Sequence, residues 1–107
     1  MRSDATQWQD QIDVLVTDES GAVLASLDGG GRELLRVLPS KDDPDYPYLR
    51  FIDWTDTTTF TRAQMGAVLP ELRRLSRAKP SPLIDRVISL AERCEATTHS
   101  RLVFSGV

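Results

Sequence analysis

The chain of 107 residues is 40% hydrophobic, carries a formal net charge of −3 and contains one cysteine, Cys94. This length fits a single domain over residues 1–107, with residues 1–9 as a disordered lead-in. The lone cysteine excludes an internal disulfide, and the acidic balance argues against nucleic acid as a partner. The first ten residues include two acidic groups and no apolar run, and no stretch approaches the roughly 20 apolar residues of a membrane span. We therefore expect a cytoplasmic protein that does not bind membranes.

The first half of the chain predicts a strand hairpin followed by an irregular segment. Gln11–Thr17 alternates apolar and polar residues, which indicates a strand, and the turn at Asp18–Gly21 leads into a return strand at Ala22–Leu27. Three glycines, Gly29–Gly31, then predict a flexible joint. Residues 32–39 fit either a short strand or one helical turn, and the Asp- and Pro-rich stretch to Tyr48 predicts an exposed loop.

The second half predicts a strand, two helices and a final strand. Tyr48–Trp54 is interpreted as the third strand, with Leu49 and Phe51 on one face, and residues 55–60 as a loop. Thr61 and Gln64 have the spacing of a capping box. The first helix has an apolar stripe of Met65, Val68, Leu69, Leu72 and Leu75. The second begins at Ser81-Pro82 and has a stripe of Ile84, Val87, Ile88, Ala91 and Cys94, and Arg101–Phe104 is the last strand.

This order of elements predicts the fold class. A hairpin, a third strand, two helices and a fourth strand fit an α+β fold of two layers. In it, a mainly antiparallel sheet of about four strands has two helices packed on one face.

No residue pattern indicates a metal, a cofactor or a catalytic site. With one histidine and one cysteine, any zinc site would need carboxylates for most of its ligands. The aspartates at 42, 43 and 45 lack the glycine and closing glutamate of a calcium loop. Gly29–Gly31 lacks the residues of a phosphate-binding loop. A small hydrolase-type enzyme using Asp53, Asp56 or His99 is the least favoured interpretation.

The most unusual segment is Asp53–Phe60, which holds two aspartates, four threonines and two aromatics between the third strand and the first helix. Its polar side chains either organise a turn or form a recognition loop. In the recognition interpretation Trp54 is the anchor, because tryptophan is enriched among residues that dominate binding energy. The predicted binding residues are Asp53, Trp54, Asp56, Thr57, Tyr46 and Tyr48.

Residues 48–107 contain the motifs YLRFID and DTTTF, a glutamine followed by an EL pair, and H-x-x-L-V-F-x-G. With these motifs the segment resembles a group of small uncharacterised bacterial proteins. The matching positions are Leu49, Arg50, Phe51, Ile52, Asp53, Asp56, Thr57, Phe60, Gln64, Glu71, Leu72, His99, Leu102, Val103, Phe104 and Gly106. Trp54-Thr55 and Val107 depart from the pattern. The resemblance implies a bacterial cytoplasmic domain and supplies no activity.

Charge separation suggests the kind of partner. Residues 1–60 hold five Lys/Arg and twelve Asp/Glu, giving −7, and residues 61–107 hold eight and four, giving +4. An acidic half is suited to a basic surface on another protein. We therefore expect a non-enzymatic binding domain, such as a bacterial immunity or inhibitor protein that masks a basic toxin or effector. The alternative is a homodimer or larger homo-oligomer acting as a structural or accessory module.

Overall fold

The computed structural model describes residues 13–27, 34, 36–53 and 55–105. It confirms the α+β fold with a four-stranded antiparallel sheet and two helices. The strands lie in the order β2-β1-β4-β3. The elements are β1 (Asp13–Thr17), β2 (Val23–Leu27), a 3₁₀ turn (Leu49–Phe51), β3 (Thr57–Thr61), a second 3₁₀ turn (Arg62–Gln64), α1 (Met65–Ala78), α2 (Pro82–Ala96) and β4 (Arg101–Ser105).

The predicted hairpin is confirmed, and a single aspartate organises its turn. The Asp18 Oδ1 atom accepts hydrogen bonds from the Ser20 amide at 2.9 Å, the Ser20 hydroxyl at 2.6 Å and the Ala22 amide at 3.0 Å. Gly21 has φ +90°, a conformation that residues with a side chain rarely adopt. These bonds, led by the one from the Ser20 hydroxyl, lower the pKa of Asp18 below its ordinary value.

The core lies between one face of the sheet and the two helices. Alternate residues of β1 and β4 are fully buried, and Phe60 of β3 packs edge-on against Phe104 with ring centroids 5.9 Å apart. The helices contribute the predicted stripes, of which only Ile88 is partly exposed. The buried core residues of the strands are Val14, Val16, Leu27, Phe60, Leu102 and Phe104.

The third strand is misplaced in the sequence interpretation. Of the predicted strand Tyr48–Trp54, the described residues 48–53 are not a strand: Leu49–Phe51 forms a 3₁₀ turn. The strand that joins the sheet is β3, which lies mostly in the segment predicted as a loop. Burial follows a spacing of three residues, with Leu49 and Ile52 buried and Phe51 60% exposed. A period of three is that of a 3₁₀ helix rather than a strand.

Both helical segments begin at the predicted capping residues, Thr61 and Ser81. The Thr61 amide donates to Gln64 Oε1 at 2.8 Å, which is one half of a capping box. The Ser81 hydroxyl accepts from the Leu83 amide at 3.2 Å, with Pro82 in the first turn of α2. The first helical segment continues through Pro70, and Ala78 is its last residue.

Within residues 32–39, the residues that the structure describes form a helical turn and not a strand. Leu34, Arg36 and Val37 are helical, and Leu34 is fully buried. The following loop is largely exposed as predicted, except that Tyr46 is buried. The predicted glycine joint at residues 29–31 and the lead-in at 1–9 lie outside the described residues.

Neither helix of the described part of the chain has both the length and the apolar character needed to span a membrane.

Candidate functional site

The predicted binding residues lie along one connection, residues 40–57, which we call the acidic loop. It carries Lys41 and Arg50 against five aspartates at 42, 43, 45, 53 and 56. Asp56 and Thr57 are exposed, and Asp53 is partly buried. Trp54 lies outside the described residues. Of these aspartates, Asp53 and Asp56 lie at the end of the sheet where β3 begins.

Asp53 organises a turn. Its Oδ1 atom accepts from the Thr55 amide at 2.9 Å and the Thr55 hydroxyl at 2.7 Å, and its Oδ2 atom lies 3.7 Å from Lys41 Nζ. The bond from the Thr55 hydroxyl is the main reason that the pKa of Asp53 is lowered, followed by the bond from the Thr55 amide. Asp53 thus stays ionised and keeps the turn closed.

Asp56 has a similar local partner. Its Oδ1 atom accepts from the Thr57 amide at 2.7 Å, where β3 starts. The Asp53 amide donates to the Thr58 hydroxyl at 3.3 Å, which joins the loop to β3. Both carboxylates are therefore engaged with neighbouring residues of the loop, so the turn-organising interpretation of this segment describes the geometry well.

The two predicted tyrosines contribute mainly to packing. Tyr46 is 9% exposed, and the Arg74 guanidinium lies 5.3 Å from its ring centroid while donating a hydrogen bond to the Asp45 carbonyl. Tyr48 is partly buried, with its ring 6.3 Å from that of Phe60. Little of the Tyr46 ring is left to contact a partner.

Phe51 is the aromatic that the described loop exposes. It is one of two large hydrophobic side chains on the described surface, 60% exposed, and the Arg50 guanidinium lies 4.8 Å from its ring centroid. The Thr58 hydroxyl donates to the Phe51 carbonyl at 3.4 Å. The sequence interpretation missed Phe51 because a strand would have placed it beside the buried Leu49.

A buried carboxylate fixes the turn that presents Phe51. Glu71 of α1 is 3% exposed, and its Oε1 atom accepts from the Tyr48 amide at 3.1 Å and the Leu49 amide at 3.0 Å. These amides begin the 3₁₀ turn, where backbone donors lack partners within the turn. The sequence signal was available: Glu71 lies next to Leu72 and three residues after Val68, on the apolar side of α1.

His99 lies away from the two aspartates of the enzymatic alternative, which share one turn. Asp53 and Asp56 precede Thr57 at the start of β3, whereas His99 lies beside Thr61 at its end. Five strand residues separate these ends by roughly 13 Å. His99 has φ 61°, and its Nδ1 atom lies 3.9 Å from Glu19 Oε2.

Cys94 is enclosed in the core below this end of the sheet. It is fully buried, and the Ser100 hydroxyl donates to the Cys94 carbonyl at 2.7 Å and lies 3.3 Å from its sulfur. Burial raises the pKa of the thiol. This places Cys94 in a structural role.

No three His, Cys, Asp or Glu side chains within residues 13–27, 34, 36–53 and 55–105 are arranged to hold a metal ion. Comparisons with protein-family models, with curated proteins and with solved structures returned no match. The resemblance to small bacterial proteins therefore stays a prediction.

Proposed function

We propose that this protein is a non-enzymatic binding domain that contacts a basic site on another protein through Phe51 and the acidic loop. The observation that supports this proposal most is that the Phe51 ring is 60% exposed on a turn whose first amides donate to the buried Glu71. Aromatic side chains surrounded by polar residues are typical centres of protein interfaces.

Preorganisation supports this proposal. Three hydrogen bonds fix the backbone of the loop before a partner binds. They join Glu71 to the 3₁₀ turn, Asp53 to Thr55, and Thr58 to Phe51. Ordering a loop on binding costs free energy, so a loop that is already ordered binds more tightly for the same contacts. A prearranged Phe51 is therefore suited to recognition.

Charge supports the choice of partner. Asp42, Asp45 and Asp56 are exposed on the acidic loop. Such rim charges mainly accelerate association with an oppositely charged surface and make it salt-dependent. A basic toxin or effector masked by an immunity or inhibitor protein has the chemistry that this surface requires.

Capture from a lysate of the source organism tests the proposal when the bait is compared with two variants. Phe51→Ala removes the exposed ring of the loop, and Val23→Ala truncates the other large exposed side chain, which is 58% exposed on β2. We expect one basic protein that is retained by the wild type and by Val23→Ala and is lost with Phe51→Ala. Equal capture by all three baits would contradict the proposal.

A second candidate function is homo-oligomerisation through β2. Among the described strands β2 pairs only with β1, it carries no charged residue, and Val23 at its start is exposed. Uncharged edge strands pair readily with a second chain. If β2 forms such a contact, light scattering will show a dimer that Val23→Lys converts to monomer and Phe51→Ala leaves intact. A monomer at high concentration would rule this candidate out.

A further inference from the structure

A charged cleft lies at the opposite end of β3 from Asp53 and Asp56 of the acidic loop. Its volume is about 330 Å³. It is formed by three parts of the chain that are far apart in sequence: the β1–β2 turn, the junction of β3 with the helical segment, and the α2–β4 junction. Its ionisable side chains are Glu19, Arg62, His99 and Arg101, and Thr61, Thr98 and Ser100 add hydroxyls.

The cleft combines two arginines and a histidine with one carboxylate. The Arg62 Nε atom donates to the Glu95 carbonyl at 2.8 Å, which orients the guanidinium. No hydrogen bond between described residues uses the terminal amino groups of Arg62. The Arg101 side chain is exposed and forms no ion pair with any residue that the structure describes.

The surrounding groups are mostly hydrogen-bond donors. Thr61 and Thr98 supply hydroxyls, and the Thr61 hydroxyl also lies 3.4 Å from Gln64 Oε1. Guanidinium groups bind phosphate and carboxylate groups through paired hydrogen bonds that are stronger than neutral ones. Donors from two of the three segments, the junction of β3 with the helical segment and the α2–β4 junction, therefore line one small space.

We propose that this cleft binds the oxyanion group of a small ligand, a phosphate or a carboxylate, between Arg62 and Arg101. Glu19 is the carboxylate that lines the cleft, and its 3.9 Å separation from His99 is too long for a strong hydrogen bond. Glu19 thus opposes the ligand by charge repulsion and competes with it for His99. This inference does not depend on the function proposed for the acidic loop.

The test is an NMR titration of the full chain with inorganic phosphate, and separately with acetate, at constant ionic strength. We expect saturable shifts confined to the amides of residues 61–63 and 98–101. Arg62→Gln and Arg101→Gln should each weaken binding by about tenfold or more, because each removes charge-assisted hydrogen bonds. Glu19→Gln should strengthen it, and the matched control Arg86→Gln, on exposed α2 surface, should leave it unchanged.

The two anions distinguish the source of the oxyanion group. Saturable binding of phosphate alone indicates a phosphorylated ligand, and saturable binding of acetate alone indicates a carboxylate. Shifts that do not saturate, or that persist in both arginine variants, would overturn the proposal. Phe51→Ala should leave phosphate binding intact, so a failure here is distinguishable from a failure at the acidic loop.

Discussion

Removing the Glu71 carboxylate should destabilise the fold and loosen the turn that presents Phe51. Glu71→Leu keeps a side chain of similar size but leaves the Tyr48 and Leu49 amides without their acceptor. A buried donor without a partner costs about 1–3 kcal/mol. Because Tyr48 is only partly buried, we expect Glu71→Leu to lower the free energy of unfolding by about 2–4 kcal/mol.

Urea unfolding of matched variants measures this cost. Glu92→Leu is the control, because Glu92 lies on exposed α2 surface and forms a 3.2 Å ion pair with Arg73. Exposed ion pairs contribute about 0–1 kcal/mol, so this control should unfold close to the wild type. Glu71→Gln should be intermediate, since its amide oxygen still accepts hydrogen bonds without the charge.

Hydrogen exchange gives the local readout. The Tyr48 and Leu49 amides should exchange faster in Glu71→Leu than expected from its loss of global stability. If Glu71→Leu unfolds at the same urea concentration as Glu92→Leu, the assignment of Glu71 as the anchor of the turn is refuted.

Three further predictions follow from the core and the turns. Phe104→Ala should lower the free energy of unfolding by about 3–5 kcal/mol, because the ring is fully buried, whereas Phe51→Ala should change it little; calorimetry compares the two. The lowered pKa values of Asp18 and Asp53 contribute stability that is present above the unfolded value near 3.8 and is lost as the pH falls through the folded values. Asp18→Asn should therefore reduce stability at neutral pH and flatten the acid side of a denaturation profile; an unchanged profile would contradict this. Cys94 should react with a thiol reagent only in denaturant, and rapid labelling of the native protein would show that it is not enclosed.

The helices and the hairpin were predictable because their signals are long and local. Stripes of five apolar residues over α1 and α2 fit one period, and Asp18 and Ser81 act on amides within four residues. Local chemistry of this kind is visible in the sequence alone.

The third strand was not predictable in this way. The sequence LRFI is too short to distinguish a spacing of two from a spacing of three, and the turn is decided by Glu71, more than 20 residues away. β3 is an edge strand with one buried aromatic and four threonines, so it has almost no apolar alternation to detect. Its place in the sheet comes from pairing with β4.

The candidate site was predictable only where its geometry depends on local hydrogen bonds. Asp53 and Asp56 were chosen for their composition, and their local hydrogen bonds follow from residue type. The burial of Tyr46 and the exposure of Phe51 were not predictable, because they depend on tertiary contacts with Arg74 and Glu71.

In the proposed function, Phe51 anchors a basic partner on the acidic loop. The most direct test is calorimetric titration of the captured partner with the wild type, Phe51→Ala and Val23→Ala at two salt concentrations. We expect Phe51→Ala to weaken binding by at least about tenfold, or roughly 1.4 kcal/mol, with Val23→Ala unchanged and with wild-type affinity falling as salt rises. Equal affinities for Phe51→Ala and the wild type, or affinity insensitive to salt, would show that Phe51 and the acidic loop do not form the binding site.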